Sequence, residues 1–271
     1  MKNELHSSCE RSKRSSFIDA SAQSNTIMRM QQATFDAPRL LADIGSTYAR
    51  FALETAPGVY AHTAQLRCAD HADFEAAVRA YLATCPAERI THAAVAIANP
   101  VEGDEVRMTN YHWQFSIEAT RAKLGFDTLV VVNDFTALAM ALPRLGPHDK
   151  RQIGGGTERE RSVVGLLGAG TGLGVSGLIA ADGGWVALGT EGGHASFSPR
   201  DDRELAVLQY AWKQLGDTNR HVSFERVLSG PGLELIYKAL AERAGKRAAE
   251  GLSAPEITRR ALADSDPVCV D

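Results

Sequence analysis

The chain has 271 residues, room for one large or two modest domains, and its 44% apolar and 23% charged residues give the balance of an ordinary globular protein. A net charge of −4 removes the electrostatic case for binding nucleic acid. Cys9, Cys68, Cys85 and Cys269 form no C-x-x-C pair, which argues against a zinc site and a secreted disulfide scaffold, and no apolar run reaches the roughly 18 residues of a membrane span. The plain expectation is a soluble cytoplasmic protein with no membrane partner.

Residues 1–38 are rich in Ser and Gln, poor in large apolar side chains, and carry Arg11, Lys13 and Arg14 in a cluster. They lack the apolar stretch of a signal peptide, and Glu4, Glu10 and Asp19 count against a transit peptide. Too polar to bury a core, the segment is expected to be a disordered extension, with translation from Met28 or Met30 as the alternative. Leu40 to Leu53 then reads as strand, polar turn and strand, and Val59 to Leu66 as a third strand. Asp73 to Thr84 places Phe74, Ala77, Val78, Tyr81 and Leu82 on one helical face. His92 to Ala98 is a short strand ended by Asn99-Pro100, and Val106 to Thr109 another. A helix opens at Ser116 and stops at Gly125; Leu129 to Val132 is a buried strand; Phe135 to Leu142 is a helix halted by Pro143.

The glycine-rich stretch from Gly146 to Arg161 looks like a crossing between domains. Val163 to Val175 repeats the strand, Gly-Thr turn and strand pattern, with Trp185 to Leu188 as a further strand. Glu204 to Leu215 is helical by its apolar period. Phe224 to Leu228 begins a helix that Gly230-Pro231-Gly232 should break, and Leu233 to Arg243 is an amphipathic helix. Ser253-Ala254-Pro255-Glu256 is a capping signature that opens a last helix running to about Ala263, and the sequence ends at Asp271.

Turns of the Gly45-Ser46-Thr47 and Gly170-Thr171-Gly172 kind can present backbone N–H groups and a Thr hydroxyl to phosphate oxygens. Either alone is also an ordinary hairpin, but the pair, with Asn133-Asp134 between them, points to phosphoryl transfer. Asp134 stands where a buried strand gives way to a helix; its carboxylate could take a proton from an attacking hydroxyl, or could simply cap the helix. Glu191-Gly192-Gly193-His194 reads either as a pair of groups for sugar hydroxyls or as a polar glycine turn, and it fits no zinc-protease pattern. Glu225, near a helix N-terminus, reads by itself as a complement to the helix dipole, and Trp113, Trp185 and Trp212 read as packing residues.

Together, Leu41-Ala42-Asp43-Ile44-Gly45, Met108-Thr109-Asn110, Val132 to Ala137, Gly168 to Gly174, Glu191 to His194 and Glu225 to Gly232 resemble the bacterial ATP-dependent glucokinases. That family is similar to hexokinases and actin. The resemblance runs from about Leu40 to about Ala263 and implies an α/β fold of duplicated actin-like (ribonuclease H-like) ATPase domains. It divides the chain into a small domain over 39–145 and a large one over 146–271, incomplete at its C-terminus. The implied ligands are glucose, ATP and Mg2+. Asp134 would be the general base on the glucose 6-hydroxyl; Asn133, Glu191, His194 and Glu225 would bind the other hydroxyls. Ala42, Asp43, Ile44, Gly45, Ser46 and Thr47 would form the first phosphate turn, with Asp43 near the metal, and Gly170, Thr171 and Gly172 the second. A homodimer is the assembly to test.

Three departures qualify the match. Family members typically carry Gly-Gly-Thr-Asn where this chain has Gly45-Ser46-Thr47-Tyr48, so a positive φ at Ser46 would cost roughly 1 kcal/mol. The N-terminal extension has no counterpart in the shorter members. The family's long buried helix, glycine-rich adenine-binding stretch and C-terminal helix are missing, which would leave apolar faces exposed. The competing expectations are a truncated, inactive remnant and a sugar-binding protein without turnover; a sugar-responsive DNA-binding regulator finds no module here.

Overall fold

The computed structural model describes residues 35, 37–86, 89–109, 111–215 and 220–271. Most of the expected N-terminal extension, and Asn110, lie outside the described residues.

Alternating apolar residues build β1 (Arg39–Ile44), β2 (Tyr48–Ala56) and β3 (Val59–Arg67), an antiparallel meander. Two further strands, β4 (His92–Ile97) and a third element of parallel sheet at Thr128–Asn133, complete a five-stranded sheet beside β1. Between them the chain forms α1 (Phe74–Leu82) after β3, then β5 (Glu105–Arg107), β6 (Gln114–Ser116) and α2 (Ile117–Leu124) before the Thr128–Asn133 strand, β7. The sheet order is β3-β2-β1-β4-β7, with β1, β4 and β7 parallel. Asp73 caps α1 by accepting from Ala76 N, and of the face predicted from the spacing Phe74, Ala77, Val78 and Tyr81 are buried and Leu82 half-buried. Ser116 caps α2, which closes on Gly125 in the left-handed conformation that glycine adopts freely (φ 71°). The strand expected at Val106 to Thr109 is the shorter β5; its partner β6 was not foreseen, since three residues carry too little periodicity to read.

α3 (Asp134–Ala141) follows β7 directly. The second sheet holds β8 (Val164–Ala169), β9 (Leu173–Ala181) and β10 (Gly184–Gly189) in the order β10-β9-β8. After it come α4 (Asp202–Leu215), α5 (Gly230–Arg243), α6 (Ala254–Leu262) and α7 (Pro267–Val270). Gly230-Pro231-Gly232 opens α5 rather than breaking a helix. Ser229 accepts from Gly232 N at 3.1 Å, and a proline in the first turn has no N–H to leave unpaired. Phe224–Arg226 is a separate 3₁₀ turn, and α7, capped by Asp266, was not anticipated.

Two apolar clusters form. One, around Leu40, Ile44, Phe51, Val95 and Trp113, lies beneath the five-stranded sheet; the other, around Val207, Ala211, Leu240 and Ile257, lies among α4 to α7. Between them α3 packs on β9 and β10. The Phe135 ring rests on Gly168 and Gly174, which face each other across β8 and β9; a Cβ would come within 2.5 Å of the ring at Gly168 and 2.1 Å at Gly174.

Candidate functional site

The strand register sets the first turn and Asn133-Asp134 at one end of the five-stranded sheet. Ile44 pairs with Ile97, and Ile97 with Asn133, so the turn after β1 and the start of α3 both leave the carboxyl ends of parallel strands side by side. Open α/β sheets bind ligands along such an edge.

The cap of α3 is Asn133, not Asp134. Its Oδ1 accepts from Phe135 N at 3.0 Å and Thr136 N at 3.1 Å. Its Nδ2 donates to Asp134 Oδ1 at 3.0 Å and to the Asn99 carbonyl at 3.4 Å. Asp134 takes a further hydrogen bond from Phe135 N, at 2.9 Å, on the same Oδ1. Burial pushes the Asp134 carboxyl above the ordinary carboxylate range, and the negative charge of Asp43 pushes the same way; the Phe135 N–H and the Asn133 amide act against them. Asp43 is itself paired with its cross-strand neighbour Arg50 at 2.9 Å, with both side chains about half exposed.

The first turn closes through Gly45 N to Tyr48 O at 3.0 Å. Cys68 holds it from below, donating its N–H to Thr47 O at 3.0 Å and its thiol to Gly45 O at 3.4 Å. Ser46 does not have a positive φ; among the described residues His62, Arg161 and Asp264 are the non-glycine residues that do. The strain expected of Ser46 therefore does not arise. The second turn closes through Gly170 N to Gly172 O at 2.8 Å, and Gly230 N donates to Gly170 O at 2.9 Å. Glu225 Oε2 accepts from Leu173 N at 3.1 Å, and a Cβ on Gly172 would sit 2.5 Å from the same oxygen. That carboxylate clamps the hairpin, beyond complementing a helix dipole.

Glu191 and His194 flank a 3₁₀ turn (Gly192–His194), with Glu191 Oε2 and His194 Nε2 3.6 Å apart. Gly193 presses on Leu173, where a Cβ would meet the carbonyl oxygen at 2.1 Å. His221 Nε2 donates to the His194 carbonyl at 3.1 Å, and its Nδ1 lies 3.3 Å from Ser196 Oγ.

A cleft of about 360 Å³ has Asn133 and Thr136 on one side and Gly189, Thr190 and Glu191 on the other, with Pro100, Val101 and Glu102 along its wall. It brings Asn133 and Glu191 together. Asp134, His194 and Glu225 are not among its lining residues: Asp134 is tied to it through Asn133, His194 through Glu191, and Glu225 through Leu173 and Gly193. Sequence reasoning gave no role to Asn99 or Glu102, reading Asn99-Pro100 only as a turn, and noted Thr109 only within the Met108-Thr109-Asn110 stretch.

No group of three or more His, Cys, Asp or Glu side chains that could hold a metal occurs among the described residues. Mg2+ does not require one, since it commonly takes one or two carboxylates and completes its shell with water and phosphate oxygens. Asp43, a half-exposed carboxylate at the end of β1 beside the first turn, suits that donor set.

The family model described as glucokinase matches residues 40–271. This chain belongs to the glucokinase family. It is 58% identical over 246 residues to the bifunctional protein glk of Burkholderia orbicola, covering 91% of this chain and 37% of that protein. The chain thus spans little more than a third of the length of that curated relative. Among solved structures, a glucokinase from an Antarctic psychrotroph matches with a TM-score of 0.75 at 35% identity, over 86% of this chain and 73% of that one. A ROK family glucokinase from Streptomyces griseus, in complex with glucose and AMPPNP, shares the fold with a TM-score of 0.54 at 20% identity, over 87% and 74% of the two chains. The fold is the actin-like α/β arrangement that the resemblance to this family implied.

Proposed function

We propose that this chain carries the sugar and phosphate sites of a glucokinase, which transfers the γ-phosphoryl group of ATP to the 6-hydroxyl of D-glucose. The observation that carries the proposal is Asp134. It is a half-buried carboxylate with a raised pKa, fixed by its neighbour's amide, at the strand edge shared with the first turn. Such a group suits a general base that must hold a proton briefly at neutral pH. The glucose and AMPPNP named with the Streptomyces griseus structure support the choice of sugar and donor.

In this reading Asp134 takes the proton of the 6-hydroxyl as that oxygen attacks phosphorus. Glu191 accepts hydrogen bonds from sugar hydroxyls across the cleft, with His194 beside it. Asn133 donates to the sugar by giving up its 3.4 Å contact to Asn99, the longest of its four hydrogen bonds. Glu225 acts mainly by shaping the second turn. A neutral sugar offers no charge to grip, so a set of such groups is what selects it over analogues lacking a hydroxyl. The residues 42–47 and 170–172 line the phosphates. Asp43 would hold magnesium, which when bound neutralises phosphate charge. The two apolar clusters support treating 39–145 and 146–271 as two domains closing on this site. No helix among the described residues is long and apolar enough to cross a membrane, in keeping with a cytoplasmic place.

The test is calorimetry with glucose and with AMPPNP, together with an assay of glucose-dependent ADP release. Binding of both ligands, with turnover that Asp134→Asn abolishes, is the expected result. A folded chain that binds neither would overturn the proposal.

A further inference from the structure

We infer that Asn99 is a positioning residue for the sugar side of the cleft: it ties Asn133, Thr109 and the Pro100–Glu102 wall into one fixed arrangement without touching substrate. The inference deepens the kinase reading and rests on it. Asn99 follows β4 and is only 7% exposed. Its Oδ1 accepts from Thr109 N and Thr109 Oγ1, both at 2.9 Å, and its Nδ2 donates to Pro100 O at 2.8 Å. Its own carbonyl accepts from Asn133 Nδ2 at 3.4 Å. Three segments distant in sequence therefore meet on one residue.

The chemistry fixes the amide's orientation. A main-chain N–H on one side demands the oxygen, and a carbonyl on the other demands the NH₂ group, so turning the amide over would break both contacts. Asn133 is constrained in turn. Its Oδ1 is held by two helix N–H groups, and its NH₂ has two hydrogens, of which Asp134 takes one. The other points at the Asn99 carbonyl over a distance longer than the usual 2.7–3.2 Å range. That hydrogen is the one Asn133 can donate to a sugar hydroxyl, and the Asn99 carbonyl holds it until a sugar takes its place. An apolar residue at 99 would remove the acceptor that Thr109 N and Oγ1 share, and with it the tie between the Thr109 segment and the end of β4.

The experiment measures Kd for glucose and for AMPPNP, with thermal melting, on the wild-type chain, Asn99→Ala and Thr109→Val. Asn99→Ala, which keeps the main-chain carbonyl facing Asn133 but loosens its hold on Thr109 and Pro100, is expected to weaken glucose about tenfold (~1.4 kcal/mol), while AMPPNP changes less than about twofold. Thr109→Val, which removes only the hydroxyl contact, is expected to weaken glucose about two- to threefold. Should Asn99→Ala not fold, Thr109→Val decides alone. Glucose affinity unchanged in the variants, or glucose and AMPPNP weakened equally in step with a lower melting temperature, would overturn the inference. A wild-type chain that binds AMPPNP but no glucose would overturn the sugar-site reading and this inference with it.

Discussion

The β1–β2 and β8–β9 hairpins share a local pattern and differ in how they are held. Each joins a six-residue strand to a nine-residue strand through a Gly-containing turn. β1 lies between β2 and β4 and buries Leu40, Ala42 and Ile44. β8 pairs on one side only, has no fully buried residue, and leaves Leu167 72% exposed. The first hairpin is thus held by apolar burial with Cys68 beneath its turn; the second is held by polar clamps, Glu225 on Leu173 N and Gly230 on Gly170 O. Pattern alone sets the backbone path, and tertiary neighbours decide what stabilises it.

The largest expected effect lies between the hairpins, at Asp134, where both must act together. Asp134→Asn keeps the shape and should lower kcat by about 10²–10⁴-fold, with a modest change in glucose affinity. Its stability should move the other way. The folded-state pKa is raised, so the protonated form is favoured by folding; that contribution is present below the unfolded value of about 3.9 and is lost as pH rises through the folded value. At pH 7 the ionised carboxylate is a cost that Asn removes. Melting temperature should therefore rise or hold at neutral pH, with the difference from wild type shrinking toward pH 3. A large loss of stability at pH 7 with normal turnover would reduce Asp134 to a structural residue.

Next in size is a direct contrast between the hairpins. Leu40→Ala in β1 should cost about 2–5 kcal/mol, and Leu167→Ala in β8 should stay within about 0.5 kcal/mol. Urea titration of both decides whether burial separates the two hairpins, and equal costs would end the comparison. Gly174→Ala, which drives a methyl group into the Phe135 ring, should cost about 1–3 kcal/mol by the same measurement. The smallest effect belongs to Ser46→Gly: with no left-handed φ to relieve, it should gain no stability and lose at most about 1 kcal/mol to backbone entropy.

Much of this was legible because it is local. Alternation gave the hairpins, helical spacing gave the buried face of α1, and the step from Val132 into Asn133-Asp134 marked the sheet edge. The rest depends on residues far apart in the chain. Asp134 read equally well as a base and as a helix cap until folding gave the cap to Asn133. Glu225 looked like a helix-end charge because Leu173, whose N–H it takes, lies 52 residues away. Asn99 looked like turn punctuation because its partners Thr109 and Asn133 come from other segments. Gly230-Pro231-Gly232 misled because the same residues that interrupt a helix also start one.

The seat of Phe135 on Gly168 and Gly174 bears on how the chain can be altered or recombined. These three positions are one unit of inheritance. A methyl group at either glycine costs least once the ring has been replaced by something smaller, so the order of substitutions matters: position 135 first, position 168 or 174 after. A chimera that takes its 133–137 segment from one parent and its 168–174 turn from another inherits half of that contact. Crossover points for family shuffling therefore belong outside residues 133–174, with both halves drawn from the same parent.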